Sequence, residues 1–265
     1  MEQNRKVVSI LTPCYNEEEN VSLLVDKIKE IMNSIPSVDY EHIFIDNAST
    51  DQTLKIIDNI CEKDSRVKII ANSRNFGHIR SPYYGLMQIE TDAAILMASD
   101  FQDPPELIKE FVKKWEEGAE IVMGVKNKSD ESKWMFLVRS FYYNVINKLS
   151  DIELTKNYTG FGLYDRTIIE NLRNTPDPYP YFRGLILEMG FTIKKVYFTQ
   201  PQRQRGITKN NFFTLYDMAM LGICSHSKIP LRIATLTGFT LSILSFFIAF
   251  GYLLAKVFLW YQFPI

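Results

Sequence analysis

Between Val7 and Val125, short β-branched apolar runs alternate with stretches whose apolar residues recur every third or fourth position, and few folds accept that order. The run "VVSIL" (7–11) reads as a buried strand. After Asn16 and a glutamate-rich cap, Val21, Leu24, Val25, Ile28 and Met32 follow at helical spacing. "HIFID" (42–46), the polar turn "NASTDQT" (47–53) and a helix through Leu54, Ile57 and Cys61 repeat the unit, and "VKII" (67–70) begins it again. "AAILMA" (93–98), a helix opened by Pro104 and Pro105 that carries Leu107, Ile108, Phe111, Val112 and Trp115, and "EIVMGV" (120–125) extend the series. Alternation of this kind predicts an α/β fold, a mostly parallel sheet with helices on both faces, whose ligands bind at the carboxyl ends of the strands. The polar groups fall at those ends: Tyr15, Asn16 and Glu17; Asp46 and Asn47; Asn72 to Gly77; Asp100 and Gln102. Each taken alone fits a solvated turn capping the next helix, and together they suit a nucleotide crevice. Neither a GxGxxG fingerprint nor a GK[ST] loop is present, which leaves a dinucleotide fold and a P-loop unsupported.

The 265 residues balance 30 basic against 31 acidic side chains, so no overall field draws nucleic acid and any anion site must be local. Cys14, Cys61 and Cys224 are odd in number and far apart, which reads as reduced thiols in a cytosolic setting and neither a disulfide frame nor a zinc site. One segment departs from the soluble pattern. "ATLTGFTLSILSFFIAFGYLLA" (234–255) carries no charge and is long enough to cross about 30 Å of hydrocarbon. Lys228 and Arg232 precede it and Lys256 follows, and the basic residues before the span together with the reduced cysteines favour a cytosolic N-terminal domain, the expected location being the inner (cytoplasmic) membrane. The opening "MEQNRKVVSILTP" has too short an apolar run for a secretory signal, so the expected anchor is C-terminal. The expected division is a catalytic domain over 1–209, a juxtamembrane amphipathic linker over 210–232, a transmembrane helix over 233–256 and a tail over 257–265. A further helical stripe, Trp134, Leu137, Phe141, Val145 and Leu149, suits either packing within the domain or rest on a bilayer surface.

Six segments in order, "SILTPCYNEEENV" (9–21), "IDNASTDQT" (45–53), "NFGHIRSPYYGL" (75–86), "SDFQDPPELI" (99–108), "FRGLILEMGF" (182–191) and "RQRGITK" (203–209), resemble the inverting family 2 glycosyltransferases of GT-A (Rossmann-like) fold. Within that family the "QDPPE" run, the Arg-x-x-Gly-x-Thr-Lys pattern and the apolar tail are similar to the polyprenyl-phosphate branch, which includes dolichyl-phosphate mannose synthase and bacterial undecaprenyl-phosphate glycosyltransferases. The bacterial branch usually has two C-terminal spans, and one apolar run is present here.

The resemblance implies that Pro13, Tyr15, Glu17 and Asp46 line a nucleoside pocket, with Asn75 and Gly77 beside the nucleotide sugar. Glu17 suits a helix N-terminal charge equally well, and Asp46 an Asx turn. Asp100 and Gln102 would hold Mg²⁺ or Mn²⁺ on the donor phosphates, although the first acid of the family's Asp-x-Asp pattern is Ala98 here. Arg203, Arg205 and Lys209, with Lys126 and Arg139, would bind an acceptor phosphate, and Asp100, Arg203 and Lys209 would carry catalysis. Arg183 is a weaker candidate for the same cluster, and His78 a candidate diphosphate contact that suits a structural role as well. Relatives often place an acid near Gly160. A phosphate acceptor whose second pKa is about 6 is already anionic at neutral pH and needs no base. The other carboxylates expected near the site are Asp103 and Asp165.

The expected activity is transfer of one sugar, with inversion, from a nucleotide diphosphate donor, UDP in preference to GDP, to undecaprenyl phosphate at the cytosolic membrane face. The product would be a polyprenyl-phosphate monosaccharide for modification of cell-surface glycan, and a homo-oligomer is compatible with this. A transferase acting on a saccharide hydroxyl is one alternative, and a catalytically silent, membrane-tethered nucleotide-sugar binder is the other.

Overall fold

A computed structural model describes residues 5–127, 154–175, 177, 179–201 and 212–258. The predicted alternation is present. Strand β1 (Lys6–Cys14), helix α1 (Val21–Asn33), β2 (Val38–Asp46), α2 (Thr53–Cys61), β3 (Val67–Ala71), α3 (Gly77–Met87) and β4 (Ala93–Leu96) run in order. A 3₁₀ turn (Pro105–Leu107) then leads into α4 (Ile108–Glu116) and β5 (Ile121–Lys126). β6 (Tyr158–Asp165), α5 (Arg166–Asn174), α6 (Phe182–Glu188), β7 (Ile193–Phe198), α7 (Phe212–His226) and α8 (Ile229–Phe258) follow.

The sheet has seven strands in the order β3-β2-β1-β4-β6-β5-β7. Every pairing is parallel except those of β6, which runs antiparallel to both β4 and β5. Successive β1 side chains point to opposite faces, so Val8 and Ile10 enter one core with α1, α2 and α4, while Leu11 enters the other with α3, α5 and α6. Val8, Ile10, Leu11, Leu24, Phe44 and Phe111 are fully buried, and the sheet is covered on both sides as a parallel sheet must be.

The strand ends are flush where the site is expected. Cys14 stands opposite Asp46, and Asp46 opposite Ala71, across three strands. Beyond them the ladder continues by one bond each, from Asn47 N to the Cys14 carbonyl at 2.9 Å and from Asn72 N to the Asp46 carbonyl at 2.9 Å. Because β6 is reversed, its first residues join this edge and its last lie at the other. Asp165 is therefore remote from the site. It pairs with Ala93 at the start of β4, accepts a hydrogen bond from Trp115 Nε1 at 2.7 Å, and caps α5 through Thr167 N at 2.9 Å.

After the domain, α7 packs Leu221 and Ile223 against Tyr181 and Leu154. It ends at His226, two residues before α8. The expected linker over 210–232 is thus divided, its last four residues belonging to α8. That helix begins with Pro230 in its first turn, where a missing N–H is harmless. Its 30 residues, with a mean hydropathy of 2.0 over the apolar window, make it long and apolar enough to cross a bilayer by length and composition. None of that window is buried against the rest of the protein.

Candidate active site

A cleft of about 490 Å³ opens at the carboxyl edge of the sheet. Of the residues expected from sequence, it gathers Pro13, Asp100, Gln102, Asp103 and Lys126, together with His78, Gly160 and Arg183. Pro13 arrives there because odd-numbered positions of β1 face α3, and Asp100 and Gln102 because β4 stops at Leu96 and turns away. In that turn Asp100 Oδ1 accepts from Gln102 N at 3.1 Å, and Asp103 Oδ2 accepts from Ala98 N at 3.0 Å. The turn holds itself in shape with its own acids. Lys126 is fixed by reciprocal bonds to Asn157, its N–H donating to the Asn157 carbonyl and its carbonyl accepting from Asn157 Nδ2, both at 3.2 Å.

Tyr15, Glu17, Asp46, Asn75 and Gly77 stand on the same sheet edge but outside the cleft wall. Both carboxylate oxygens of Asp46 are engaged by Ser49, Oδ2 by its N–H at 3.0 Å and Oδ1 by its hydroxyl, so the Asx turn is formed. Glu17 Oε2 accepts from Asn20 Nδ2 at 2.6 Å at the start of α1. Asn75 Oδ1 accepts from Gly77 N at 2.8 Å and from Asn47 Nδ2 at 2.9 Å, joining the ends of β2 and β3. Gly77 opens α3 with φ +85°, a value that suits glycine. Asn16 Oδ1 accepts from Thr50 N at 2.8 Å, and Glu17 N donates to Thr53 Oγ1 at 2.8 Å, so the loops after β1 and β2 are laced together. Arg139, Arg203, Arg205 and Lys209 lie outside the described residues, as does the stripe at 134–149.

Strain collects on the same edge. Among the described residues, four that are not glycine have positive φ: Asn16 (55°), Ala48 (61°), Phe101 (59°) and Asn157 (62°). They follow β1, β2 and β4 and precede the reversed β6, so all four sit where the strands meet the site. For Ala48 and Phe101, which lack a short polar side chain to compensate, that conformation costs roughly 1–2 kcal/mol each.

The electrostatics are mixed within a small volume. Burial pushes the Asp103 carboxyl up to about 6, and Asp100 adds to the shift while Ala98 N–H and Lys126 oppose it. His78 is held below its ordinary value by burial and by the Arg183 charge, which keeps the ring neutral. Arg183 Nη1 donates to the Tyr158 carbonyl at 3.3 Å, and its guanidinium lies 5.8 Å from the Tyr181 ring. Tyr158 and Tyr164 share a hydroxyl–hydroxyl bond, and Tyr164 Oη donates to the Gly160 carbonyl at 2.6 Å. A cleft carrying carboxylates beside cations can take an anionic ligand with a cation bridging it to the acids.

Donor chemistry bears on a divalent metal. Asp100 and Gln102 offer one carboxylate and one amide oxygen two residues apart on the cleft, hard oxygen ligands of the kind Mg²⁺ and Mn²⁺ take beside substrate phosphates. Among the described residues no group of three His, Cys, Asp or Glu side chains is placed to hold a metal ion, so an all-protein cage is not formed there.

Sequence reasoning named His78 but missed the rest of the α3 wall of the cleft. His78, Ile79, Pro82, Tyr83 and Leu86 face it from one side of that helix. Their spacing was available in "GHIRSPYYGLM", but Pro82 in the middle is a helix-breaking signal and the segment gave no clear helix.

The glycosyl transferase family 2 model matches residues 9–173. CsbB of Bacillus subtilis (strain 168), by name a glycosyltransferase, is 34% identical over 239 residues, which cover 90% of this chain and 72% of that protein. The bactoprenol glucosyl transferase of Shigella phage SfV is 30% identical over 240 residues, covering 90% of this chain and 78% of that one. Among solved structures, glucosyl-3-phosphoglycerate synthase from Mycobacterium tuberculosis, crystallised with Mn²⁺, UDP and phosphoglyceric acid, aligns with TM-score 0.54 at 18% identity. That alignment covers 81% of this chain and 75% of the synthase, a likeness of fold.

Proposed function

The chain belongs to glycosyl transferase family 2, and from that premise we propose that it transfers one sugar from a UDP-sugar to a polyprenyl phosphate at the cytosolic face of a membrane, with inversion. One observation carries the reading. Tyr181, which lines the cleft, forms with Leu154 a buried cluster against which Leu221 and Ile223 of α7 pack, and α7 leads within two residues into the apolar helix α8. A cleft tied in this way to a membrane-length helix suits an acceptor whose reactive phosphate is held at a bilayer surface. The bactoprenol glucosyl transferase named above acts on such a lipid, and its similarity covers nine-tenths of this chain.

In this reading the attacking atom is an oxygen of the lipid phosphate and the electrophile is the anomeric carbon. The bond from that carbon to the nucleoside diphosphate breaks as the new one forms on the opposite face. Lys126 and Arg183, with Arg139, Arg203, Arg205 and Lys209 from outside the described residues, hold the anionic acceptor against an anionic donor. Asp100 and Gln102 would hold Mg²⁺ or Mn²⁺, whose charge would offset that of the donor diphosphate. Pro13, Tyr15, Glu17, Asp46, Asn75 and Gly77 form the nucleoside side. Lys228 just before α8 and Arg232 in its first turn support a cytosolic catalytic domain.

Gly160 stands in the cleft where a base would be placed, and its φ of +104° disfavours any side chain there. A phosphate nucleophile makes a base unnecessary, and the pH profile tests this. With lipid phosphate, kcat/KM should rise over about pH 5 to 7 and then level, following the acceptor's second ionisation. Asp103 titrates in the same range, so the acceptor must be varied too. A phosphonate acceptor of higher pKa should move the inflection upward, and Asp103→Asn should leave it in place. A fixed inflection with the phosphonate, lost in Asp103→Asn, would make Asp103 a general base and favour a hydroxyl acceptor.

A further inference from the structure

We propose that Tyr83 reads the transferred sugar: its phenolic hydroxyl pairs with one hydroxyl of the hexose, on an uncharged wall of the cleft that it forms with Phe182. This rests on the reading above that the cleft takes a nucleotide sugar. Tyr83 is 4% exposed, and its buried oxygen has no hydrogen-bond partner among the described residues. A buried hydroxyl without a partner destabilises the fold, and phenylalanine would fill the same space without that penalty. The packing therefore gives no reason for the oxygen, and a ligand does.

The surroundings define which ligand. Tyr83 lines the cleft, and its ring meets Phe182 edge-on at 6.4 Å and 65°. Phe182 in turn lies 3.8 Å from where a Cβ on Gly160 would stand, so the wall continues into a position with no side chain. Leu86 and Leu96 complete it, and none of these residues carries a charge. Asp100, Asp103, Lys126 and Arg183 supply the charges of the same cleft. A nucleotide sugar divides in the same manner: the diphosphate needs the charged part, and the sugar ring needs apolar surface for its C–H face and neutral groups for its hydroxyls. Burial, reinforced by the Asp177 charge, raises the Tyr83 phenol above its ordinary value and keeps it a neutral hydrogen-bonding group.

Two features fix the position of the hydroxyl. A Cβ on Gly85 would come within 3.1 Å of Ile45 Cδ1 and of Leu11 Cδ1, so a glycine there lets α3 lie close on the sheet. On the other side the Arg80 guanidinium lies 5.0 Å from the Tyr179 ring, which pins the segment before Phe182 to the same helix. The Tyr83 oxygen is screened from solvent, so a sugar hydroxyl reaches it after a small adjustment of the side chains around it.

The test uses equilibrium binding to the full chain with Mn²⁺ present, so it does not depend on the lipid acceptor. The probes are UDP, then whichever of UDP-glucose, UDP-galactose and UDP-N-acetylglucosamine binds tightest, then the monodeoxy forms of that donor. Tyr83→Phe should leave UDP affinity and thermal stability undiminished and weaken the UDP-sugar about tenfold, the size expected of one hydrogen bond. One deoxy donor should bind the wild type equally weakly and lose nothing further in the variant. The inference is overturned if the variant binds the UDP-sugar as the wild type does, loses UDP in equal measure, or adds its loss to every deoxy donor alike. It is also overturned if Asp177→Ala reproduces the pattern with Tyr83 intact, or if the wild type binds no UDP-sugar more tightly than UDP. Failure of transfer to lipid with the deoxy pattern present would instead remove the acceptor assignment and leave this one standing.

Discussion

His42 is buried in β2, with Nε2 bonded to Thr12 Oγ1 of β1 at 3.0 Å, Nδ1 without a partner among the described residues, and the ring 4.2 Å from Phe44. Burial lowers its pKa to about 3. Because the folded-state value lies below the ordinary 6.5, the unfolded chain takes up the proton first as pH falls. His42 therefore contributes stability that is present above about pH 6.5 and lost progressively toward pH 3, with an upper limit of about 5 kcal/mol. His42→Gln keeps a hydrogen-bonding group near Thr12 and cannot charge. Chemical denaturation from pH 7 to 4 should show a shallower loss of stability in the variant, and parallel slopes would refute the assignment. At this scale the sequence revealed the polar residues and hid the apolar ones. Asp100 and Gln102 were legible because a strand that ends delivers the next polar groups to the sheet edge, and Lys126 through the family resemblance. Tyr83 and Phe182 were not, since a buried aromatic on a cleft wall has the same local pattern as one in the core. Asp165, expected near the site, was misplaced for want of the direction of one strand.

That strand, β6, is the element that shapes the site. Its reversed direction brings Gly160 and Tyr158 to the carboxyl edge and sends Asp165 away. It fits between β4 and β5 because Gly162 has no side chain, as a Cβ there would run into the Val122 carbonyl oxygen. On the neighbouring strand, a Cβ on Gly124 would come within 2.7 Å of the Phe161 ring. Gly162→Ala should therefore destabilise the domain by about 1–3 kcal/mol, read as a lower denaturation midpoint. An unchanged midpoint would mean that β5 and β6 pair with more slack than the contact implies. The long parallel elements were legible from periodicity, since β1, β2 and β4 carry short apolar, β-branched runs and α1 and α4 keep a helical stripe. β6 was not, because "NYTGFGLYD" breaks its alternation with glycines whose purpose is a close approach visible only in three dimensions. β7 was hidden differently, as an edge strand whose Lys194, Lys195 and Tyr197 are exposed.

For the whole molecule, the covered sheet, the cleft at its carboxyl edge and the apolar helix beyond it were all foreseeable from composition and period, whereas the packing of α7 on the cluster of Leu154 and Tyr181 was not. Such a contact joins segments about forty residues apart in sequence and leaves no local pattern. In the proposed function it is also what ties the transfer reaction to a membrane, and so the most direct measurement joins the two. Full-length protein in vesicles containing undecaprenyl phosphate is given radiolabelled UDP-sugars and Mn²⁺, and organic-extractable label is counted beside the same vesicles carrying Asp100→Asn. The account predicts label in a lipid product of the wild type that depends on undecaprenyl phosphate and falls at least tenfold in the variant, the loss of a charged contact. Label appearing on a saccharide acceptor with none in lipid, or lipid product formed equally by Asp100→Asn, would contradict it.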